Sequence, residues 1–482
     1  MTQGYVNLSL KDPITSLVAH AANIAPDAIP TEVLQHSANL LRDTVACILA
    51  GSSAAGVQAV RETRLFWGGA PQATVAVFGD RTSTPSAAFI NSVMGHARDF
   101  DDTHDAALNH GCVTIVPALL AVAEMLGEKA SASALPVRRL PPTGKEFTAA
   151  LAVGLDVANR LAMAFAPYLH TGWLPTTLFG PLGVAAGCGR LLGFDRERMA
   201  DAFGLAYAQV HGNRQALVDG TLAKRIQPAF SASAGIQAAF LALRGVSGPR
   251  RLIDGAFGYP ALYTDGQINT ACVTGRLGEF FETSNVSIKP YPSCRCSHPV
   301  IDAALRLRRE HSVAPEDIAS GCIWLPPKSM GQVGNPFAIR TNPTVDAQFS
   351  AQYTAALTLL YGTPRLADFD ADAVRTRQDI IKLAGCFRTV EHAQDCPGPV
   401  PTEVSVTLRS GDTLTARIEH IKGSPGNPMR EDELVDKFHD CADHAARPFS
   451  ADDRQRLLNF CNTILDAEDI TAGIPLLVPA MQ

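Results

Sequence analysis

The densest run of ionisable side chains in the sequence is His96-Ala97-Arg98-Asp99-Phe100-Asp101-Asp102-Thr103-His104-Asp105, with Asn109-His110-Gly111 close behind. Carboxylates and imidazoles exchange protons readily, and histidine does so near neutral pH, so the run has the composition of a general acid/base site. The same residue types at one-turn spacing can ligate a divalent ion, or can form nothing more than a solvated helix end. All three readings stay open on these residues alone. On a helix, Asp99, Asp102 and Thr103 would share one face with His96 one turn earlier, while Asp101, His104 and Asp105 would form another. Four carboxylates in seven residues repel one another, so the run requires a cation, facing Lys or Arg side chains, or exposure.

The elements that must position this run are mostly helices. Apolar residues recur at helical spacing from Thr31 to Ala50, between Pro30 and Gly51. The same pattern predicts helices from Ser86 through Met94, Val116 to Gly127, Phe147 to Phe165, Arg198 to Val210, and Ser231 to Leu243. Their many small residues, such as Ala149, Ala150, Ala152 and Gly154, predict close helix packing. The segment from Glu128 to Lys145, with Arg138-Arg139 and Pro141-Pro142, reads as an exposed loop.

Past residue 283 the texture changes. Cys322 to Leu325 reads as a strand, and Glu403 to Leu408 turns at Ser410-Gly411 into Thr413 to Ile418 as a hairpin. Helices are predicted at His298 to Glu310 and Val345 to Tyr361. The tail from Arg430 returns to helical spacing through Leu434, Phe438 and Cys441. The expected fold is therefore mainly α: a large all-helical domain plus a smaller α+β lid domain. Residues 1–283 and 422–482 would form the helical domain, the tail packing back on the first part, and 284–421 the lid.

Bulk properties narrow the function. A chain of 482 residues is too long for one compact core. A formal charge of −6 argues against nucleic-acid binding, which requires a basic surface. Met1 to Asp12 lacks a signal-peptide pattern, and the uncharged stretch Leu174 to Gly189 is too short to span a bilayer and is broken by Pro and Gly. Eleven cysteines, an odd number, fit reduced thiols, and Cys294-x-Cys296 without a second pair is a poor zinc signal. The expectation is a cytoplasmic protein without membrane or nucleic-acid partners and without bound metal.

Several motifs, in order along nearly the whole chain, resemble one family. They are His96-x-x-Asp99-Phe-Asp-Asp-Thr103 with His110 and Val116-Pro117-Ala118; Gly220-Thr221-x-x-Lys224-Arg225; Ile288-Lys289-Pro290-Tyr291-Pro292-Ser293-Cys294 with His298; Phe349-Ser350-x-x-Tyr353; and Gly423-Ser424-Pro425-Gly426-Asn427-Pro428. Together they resemble the MmgE/PrpD family, which includes 2-methylcitrate dehydratase, cis-aconitate decarboxylase and iminodisuccinate epimerase. The resemblance implies a cofactor-free lyase or isomerase moving a proton at carbon on a small carboxylate. It also implies a homodimer, with the site between the two domains. Carried over by position, Asp99, Thr103, His110, Lys224 and Lys289 would be catalytic, and His96, Leu174, Arg225, Cys294 and Arg295 would contact substrate.

Three family histidines are absent. Leu174 stands in Gly172-Trp173-Leu174-Pro175-Thr176, Gln227 is among the residues after Lys224 where no histidine follows, and Cys294 lies five residues after Lys289. Fewer proton donors weaken a dehydratase assignment, since a departing hydroxide must be protonated. A non-catalytic ligand-binding descendant, or an HD-type metal-dependent phosphohydrolase read from His96 and His104-Asp105, are the alternatives.

Overall fold

Local chemistry sets the helix boundaries in the computed structural model, which describes residues 12–128, 135–136, 140–170, 172–311, 313–393 and 398–480. Asp12 accepts from the Ile14 amide to start Pro13–Asn23. Thr143 and Glu146 form a reciprocal capping box at the start of Gly144–Phe165, and Ser450 with Asp453 does the same for Ala451–Asn462. The expected helices appear as Thr31–Gly51, Thr84–His96, Cys112–Gly127, Gly144–Phe165, Arg196–Tyr207 and Ala223–Leu243. Two of them, Gly144–Phe165 and Ala223–Leu243, are long and apolar enough to cross a membrane, yet both are mostly buried inside the protein. The loop expected between Glu128 and Lys145, including Arg138-Arg139, falls largely outside the described residues.

Small residues do the packing the sequence implied. A Cβ on Gly154 would lie 2.8 Å from the Gly183 carbonyl oxygen, and one on Gly183 would lie 2.7 Å from that of Gly154. The helices Gly144–Phe165 and Pro175–Leu191 therefore touch backbone to backbone, which only glycine at both positions permits.

The protein is mainly helical, with a smaller α/β region toward the C-terminus. One hydrophobic core runs from Ile14 to Ile288 and takes in Leu434 to Leu477 near the other end of the chain; a second core spans Cys294 to Ala416. The second is built on a four-stranded sheet in the order Phe387–Glu391, Ile318–Leu325, Thr402–Leu408, Thr413–Ile418. Its first pair is parallel and the others antiparallel, with the expected hairpin closing at Thr407 opposite Thr413. The helices His298–His311 and Ala351–Tyr361 belong to this second core.

One expectation is corrected, and one strand lies where no element was expected. The single helix expected from Val345 to Tyr361 is two, Pro343–Gln348 and Ala351–Tyr361, because Ser350 turns extended and caps the second by accepting from the Tyr353 amide. The strand Phe387–Glu391 escaped sequence reading, since its partner is distant in sequence and its alternation is weak.

The Glu431–Asp443 helix packs on Thr31–Gly51 and carries Lys437. The Lys437 ammonium is buried, 2.5 Å from Asp43 Oδ1, and donates to the carbonyls of Phe100 at 2.8 Å and Lys289 at 2.9 Å. Removing one partner of a buried ion pair strands the other charge. Lys437→Met should therefore destabilise the fold by about 3–5 kcal/mol. Thermal and urea unfolding would show this, and adding Asp43→Asn should recover part of the loss.

Candidate active site

The acidic run is not helical, contrary to the sequence expectation. The helix Thr84–His96 stops at its histidine, and Asp99 adopts a left-handed φ of 54° that breaks any continuation. Asp is among the few side chains that tolerate this region. Thr103–His104 then pairs as a short antiparallel strand with Val286–Ser287, bringing the run beside Lys289. Asp102 accepts from the amides of Gly111 and Cys112, each at 3.1 Å, at the positive end of the helix Cys112–Gly127. The solvated-end reading fails as well, because Asp99, Asp101 and Asp102 are all buried.

Their charges are met from distant segments. Lys224, in the first turn of Ala223–Leu243, lies 2.7 Å from Asp99 Oδ1, and Lys289 lies 3.6 Å from the same oxygen while donating to the Asp99 carbonyl at 3.0 Å. Burial alone would raise the Asp99 carboxyl, but the two ammonium groups hold it far below the usual carboxylate range. Burial opposes the Lys289 charge in the same way, and Asp99 reverses the effect, leaving the lysine firmly protonated. Arg295 grips Asp105 with two hydrogen bonds of 2.8 and 2.9 Å, and Ser287 adds a third at 2.9 Å.

Asp101 ties two histidines together. Its Oδ2 lies 2.8 Å from His96 Nδ1 and 3.2 Å from His110 Nδ1, and the two rings meet edge to face at 5.1 Å. His110 Nδ1 also lies 2.7 Å from the Asp102 carbonyl. Ionised carboxylates and carbonyls only accept, so both Nδ1 atoms carry hydrogen, which leaves each Nε2 for a ligand. These three side chains could bring ligand atoms within 4.8 Å of one another for a metal ion. The observed hydrogen bonds engage both Nδ1 atoms and Oδ2 of Asp101, while its Oδ1 has no partner among the described residues. Burial pulls His96 down to about 4, against the opposing pull of Asp101. Burial, with Asp101 beside it, pushes Asp102 up to about 7.

A cavity of about 180 Å³ gathers nearly all of the sequence candidates: His96, Asp99, Thr103, His110, Leu174, Lys224, Lys289, Cys294 and Arg295 all line it. Arg225 does not. It lies one residue further along the helix, about 100° round from Lys224, and lines both a small adjoining cavity with His96, Asp99 and Lys224 and an apolar cleft beside Trp67 and Phe230. The cavity also holds residues that sequence reading missed. Arg214 enters through backbone contacts, its amide donating to Gly172 at 2.8 Å next to a Trp173–Asn213 bridge. Leu108, Trp173, Leu217 and Phe349 line it too. Phe349 and Trp173 stood inside motifs without an assigned role, and no motif marked Leu108, Arg214 or Leu217; the fold collects them. Asp101 stood inside the motif but carried no assigned role. A larger hollow of about 520 Å³ is lined by Pro290 and by charged residues that are mostly paired, Lys422 with Glu433 at 2.8 Å and Lys437 with Asp43 at 2.5 Å among them. The chemistry converges on the smaller cavity.

The chain belongs to the MmgE/PrpD family. The MmgE/PrpD N-terminal domain matches residues 15–271 and the MmgE/PrpD C-terminal domain matches 291–461. It is similar along nearly its whole length to a cis-aconitate decarboxylase-like protein of Aspergillus oryzae, 28% identical over 92% of both chains. Cis-aconitate decarboxylase of Aspergillus terreus is 24% identical over 99% of this chain and 98% of its own. The Homo sapiens cis-aconitate decarboxylase is 26% identical over 92% of this chain and 90% of its own.

The lowered His96 value makes a direct prediction. Histidine-selective ¹⁵N NMR should show His96 neutral, with hydrogen on Nδ1, from pH 8 down to about 5. The unfolded chain takes up this proton near 6.5 and the folded chain only near 4. The contribution of His96 to stability is thus full above 6.5 and lost as pH falls through that window. Protonation of His96 at pH 6 to 7 would contradict the geometry.

Proposed function

We propose that the protein is a carboxy-lyase that removes carbon dioxide from a small polycarboxylate and delivers one proton to carbon, without a metal or organic cofactor. The observation that carries this reading is the convergence of Lys224 and Lys289 on one buried carboxylate, Asp99, beside His110 in a single cavity. The names of the full-length relatives support the same class of reaction.

The proposed step follows from where charge moves. When the C–C bond to the departing carboxylate breaks, its electron pair delocalises into an adjoining unsaturated carboxylate and builds enolate-like charge. Ammonium groups fixed at that position lower the barrier because they need no reorganisation. Lys224 and Lys289 are so fixed, held by Asp99 and by the backbone. A protonated His110 then gives its Nε2 hydrogen to carbon, steadied by Asp101, and recovers a proton from solvent. Thr103 is placed to donate a hydrogen bond to the substrate. This route needs one proton donor at carbon. Dehydration needs a further acid for the leaving hydroxide, and Leu174 and Cys294 occupy positions where the family carries histidines. Epimerisation or isomerisation is the second reading, because the same base and cations serve reversible proton transfer.

Proton NMR in deuterated water, on protein dialysed against chelator, should show bicarbonate release and one deuterium in the product from a panel of unsaturated di- and tricarboxylates. Deuterium exchange with no carbon dioxide released would shift the assignment to isomerase. Turnover that appears only after a divalent ion is added would sink the metal-free mechanism. Lys289→Ala should lower kcat/KM by about 10²–10³, the usual cost of removing one donor to developing negative charge. Asp101→Asn should cost about 10² in kcat, in the range of losing a well-placed acid/base group.

A further inference from the structure

We infer that Cys294 and Cys296 form a redox site in the wall of the cavity, a dithiol that a hydroperoxide closes to an intramolecular disulfide and a thiol reductant opens again. The closed form holds anionic ligands in the cavity more weakly. The pair takes no part in the proton transfer proposed above, and its closure can be read without turnover.

Both cysteines are free and both line the cavity, Cys294 buried and Cys296 half-buried. A single residue separates them: Arg295, the first of the one-turn helix Arg295–Ser297. Across one helical residue two Cα atoms lie about 5.4 Å apart, inside the span that a disulfide bridges. The turn is fixed by its own hydrogen bonds. The Cys294 amide donates to the Gln348 carbonyl at 3.0 Å, and the Cys294 carbonyl accepts from the Ser297 amide and hydroxyl, each at 2.8 Å. Held in this way, the two thiols hydrogen-bond to each other. The Cys294 thiol beside it holds Cys296 below the usual thiol range, with Lys289 assisting against burial and Asp105. The same contact, with burial, pushes Cys294 well up. Cys47 and Cys441 also touch, but both are shut inside the first core, 1% and 0% exposed. The pair in the cavity wall is the one that a small oxidant can reach.

The thiolate is the nucleophile in this chemistry, which gives the first step to Cys296. Its sulfur attacks the terminal oxygen of the hydroperoxide, the O–O bond breaks, and the alkoxide leaves as alcohol with a proton from solvent. Cys296 is then a sulfenic acid. The Cys294 sulfur attacks the Cys296 sulfur, the S–O bond breaks, and the hydroxide leaves as water with the Cys294 proton. In sum, two thiols give up two electrons and two protons, and the hydroperoxide is reduced to alcohol and water. Closing the bridge draws the sulfurs to about 2 Å and tightens the turn that carries Arg295. That guanidinium lines the cavity, bound to Asp105 at 2.8 and 2.9 Å and to the Lys422 carbonyl at 2.9 Å. Displacing it alters the charge that a ligand meets. A bridge across one residue closes a small ring, and strained bridges are the ones that thiols reduce easily.

The test treats the reduced full chain with tert-butyl hydroperoxide and digests it with trypsin in the absence of reductant. Trypsin cuts after Arg295, so Cys294 and Cys296 fall on separate peptides that only a disulfide joins. Mass spectrometry should find the joined pair or, where the cut is missed, one peptide lighter by the two hydrogens lost. Dithiothreitol should abolish either signal, and Cys47 and Cys441 should stay free thiols throughout. Calorimetry with tricarballylate should show binding about tenfold weaker to the oxidised protein, the cost of one charge-assisted hydrogen bond, with recovery on reduction. Cys294→Ser should stop the reaction at a Cys296 sulfenic acid that dimedone traps, and Cys296→Ser should make tricarballylate affinity indifferent to peroxide. Wild-type protein that keeps both thiols free, or oxidises one without joining the two, overturns the redox site. A joined pair with unchanged tricarballylate affinity overturns its control of the cavity. Reduced protein that does not bind tricarballylate at all contradicts the polycarboxylate reading above, and the joined peptides alone then decide the redox site.

Discussion

Four carboxylates placed within seven residues, three of them buried and the fourth half-buried, are the constraint on which the rest of the molecule depends. Such a run cannot be buried alone, since the desolvation of each anion costs several kcal/mol unless opposite charge and hydrogen bonds replace the water. The compensating groups arrive from widely separated parts of the chain: Lys224 from one long helix, Lys289 and Arg295 from the segment entering the second core, and amides from the start of Cys112–Gly127. Bringing them together dictates how those segments pack. Lys437 extends the same logic to the C-terminal part of the chain, because it holds the carbonyls of Phe100 and Lys289, each next to a charged residue of the site. Gly423 completes the arrangement. A Cβ there would lie 1.9 Å from the Ile288 oxygen, so glycine alone lets this turn and the Lys289 segment lie together.

The same constraint explains why the cluster suits catalysis better than stability. Paired charges in a buried site are weak contributors to folding, yet they are cations and proton donors held in place before a substrate arrives. Asp99 has a second oxygen without a hydrogen-bond partner, as does Asp101. Orphaned buried acceptors are costly in a finished core and reasonable where a ligand will supply the donor. Asp101 shows how economical the arrangement is, since one buried carboxylate sets the tautomer of two histidines.

Much of this was legible in the sequence, though for different reasons in different places. The long helices could be read because helical periodicity and capping residues are local signals. The hairpin at Thr407 and Thr413 was readable from its turn. The family resemblance and most of the residues that meet in the cavity came from motifs in fixed order. The conformation of the acidic run was not readable, because its left-handed Asp99 and short strand are set by partners such as Val286 and Lys289 far along the chain. Spacing on an assumed helix therefore misassigned its faces. Arg225 lines a small adjoining cavity and not the main one, a distinction no motif carries because it does not say which way a side chain turns. Arg214 and Leu108 were invisible because no local pattern distinguishes them from ordinary surface residues.

The departures from the family pattern fall on the wall of the cavity and spare its floor. Asp99, Lys224 and Lys289 form one interlocked set, and losing any of them would leave a buried charge exposed to its full desolvation cost. Leu174 and Cys294 are held by helix-start and turn backbone, and no buried ion pair depends on their side chains. Electrostatic coupling thus locks the part proposed above to handle developing charge, and the cavity wall outside the ion-pair set is left free to change. A site divided in this way can keep one set of fixed charges while its wall changes, because the energetic penalty for altering the wall is a matter of packing alone.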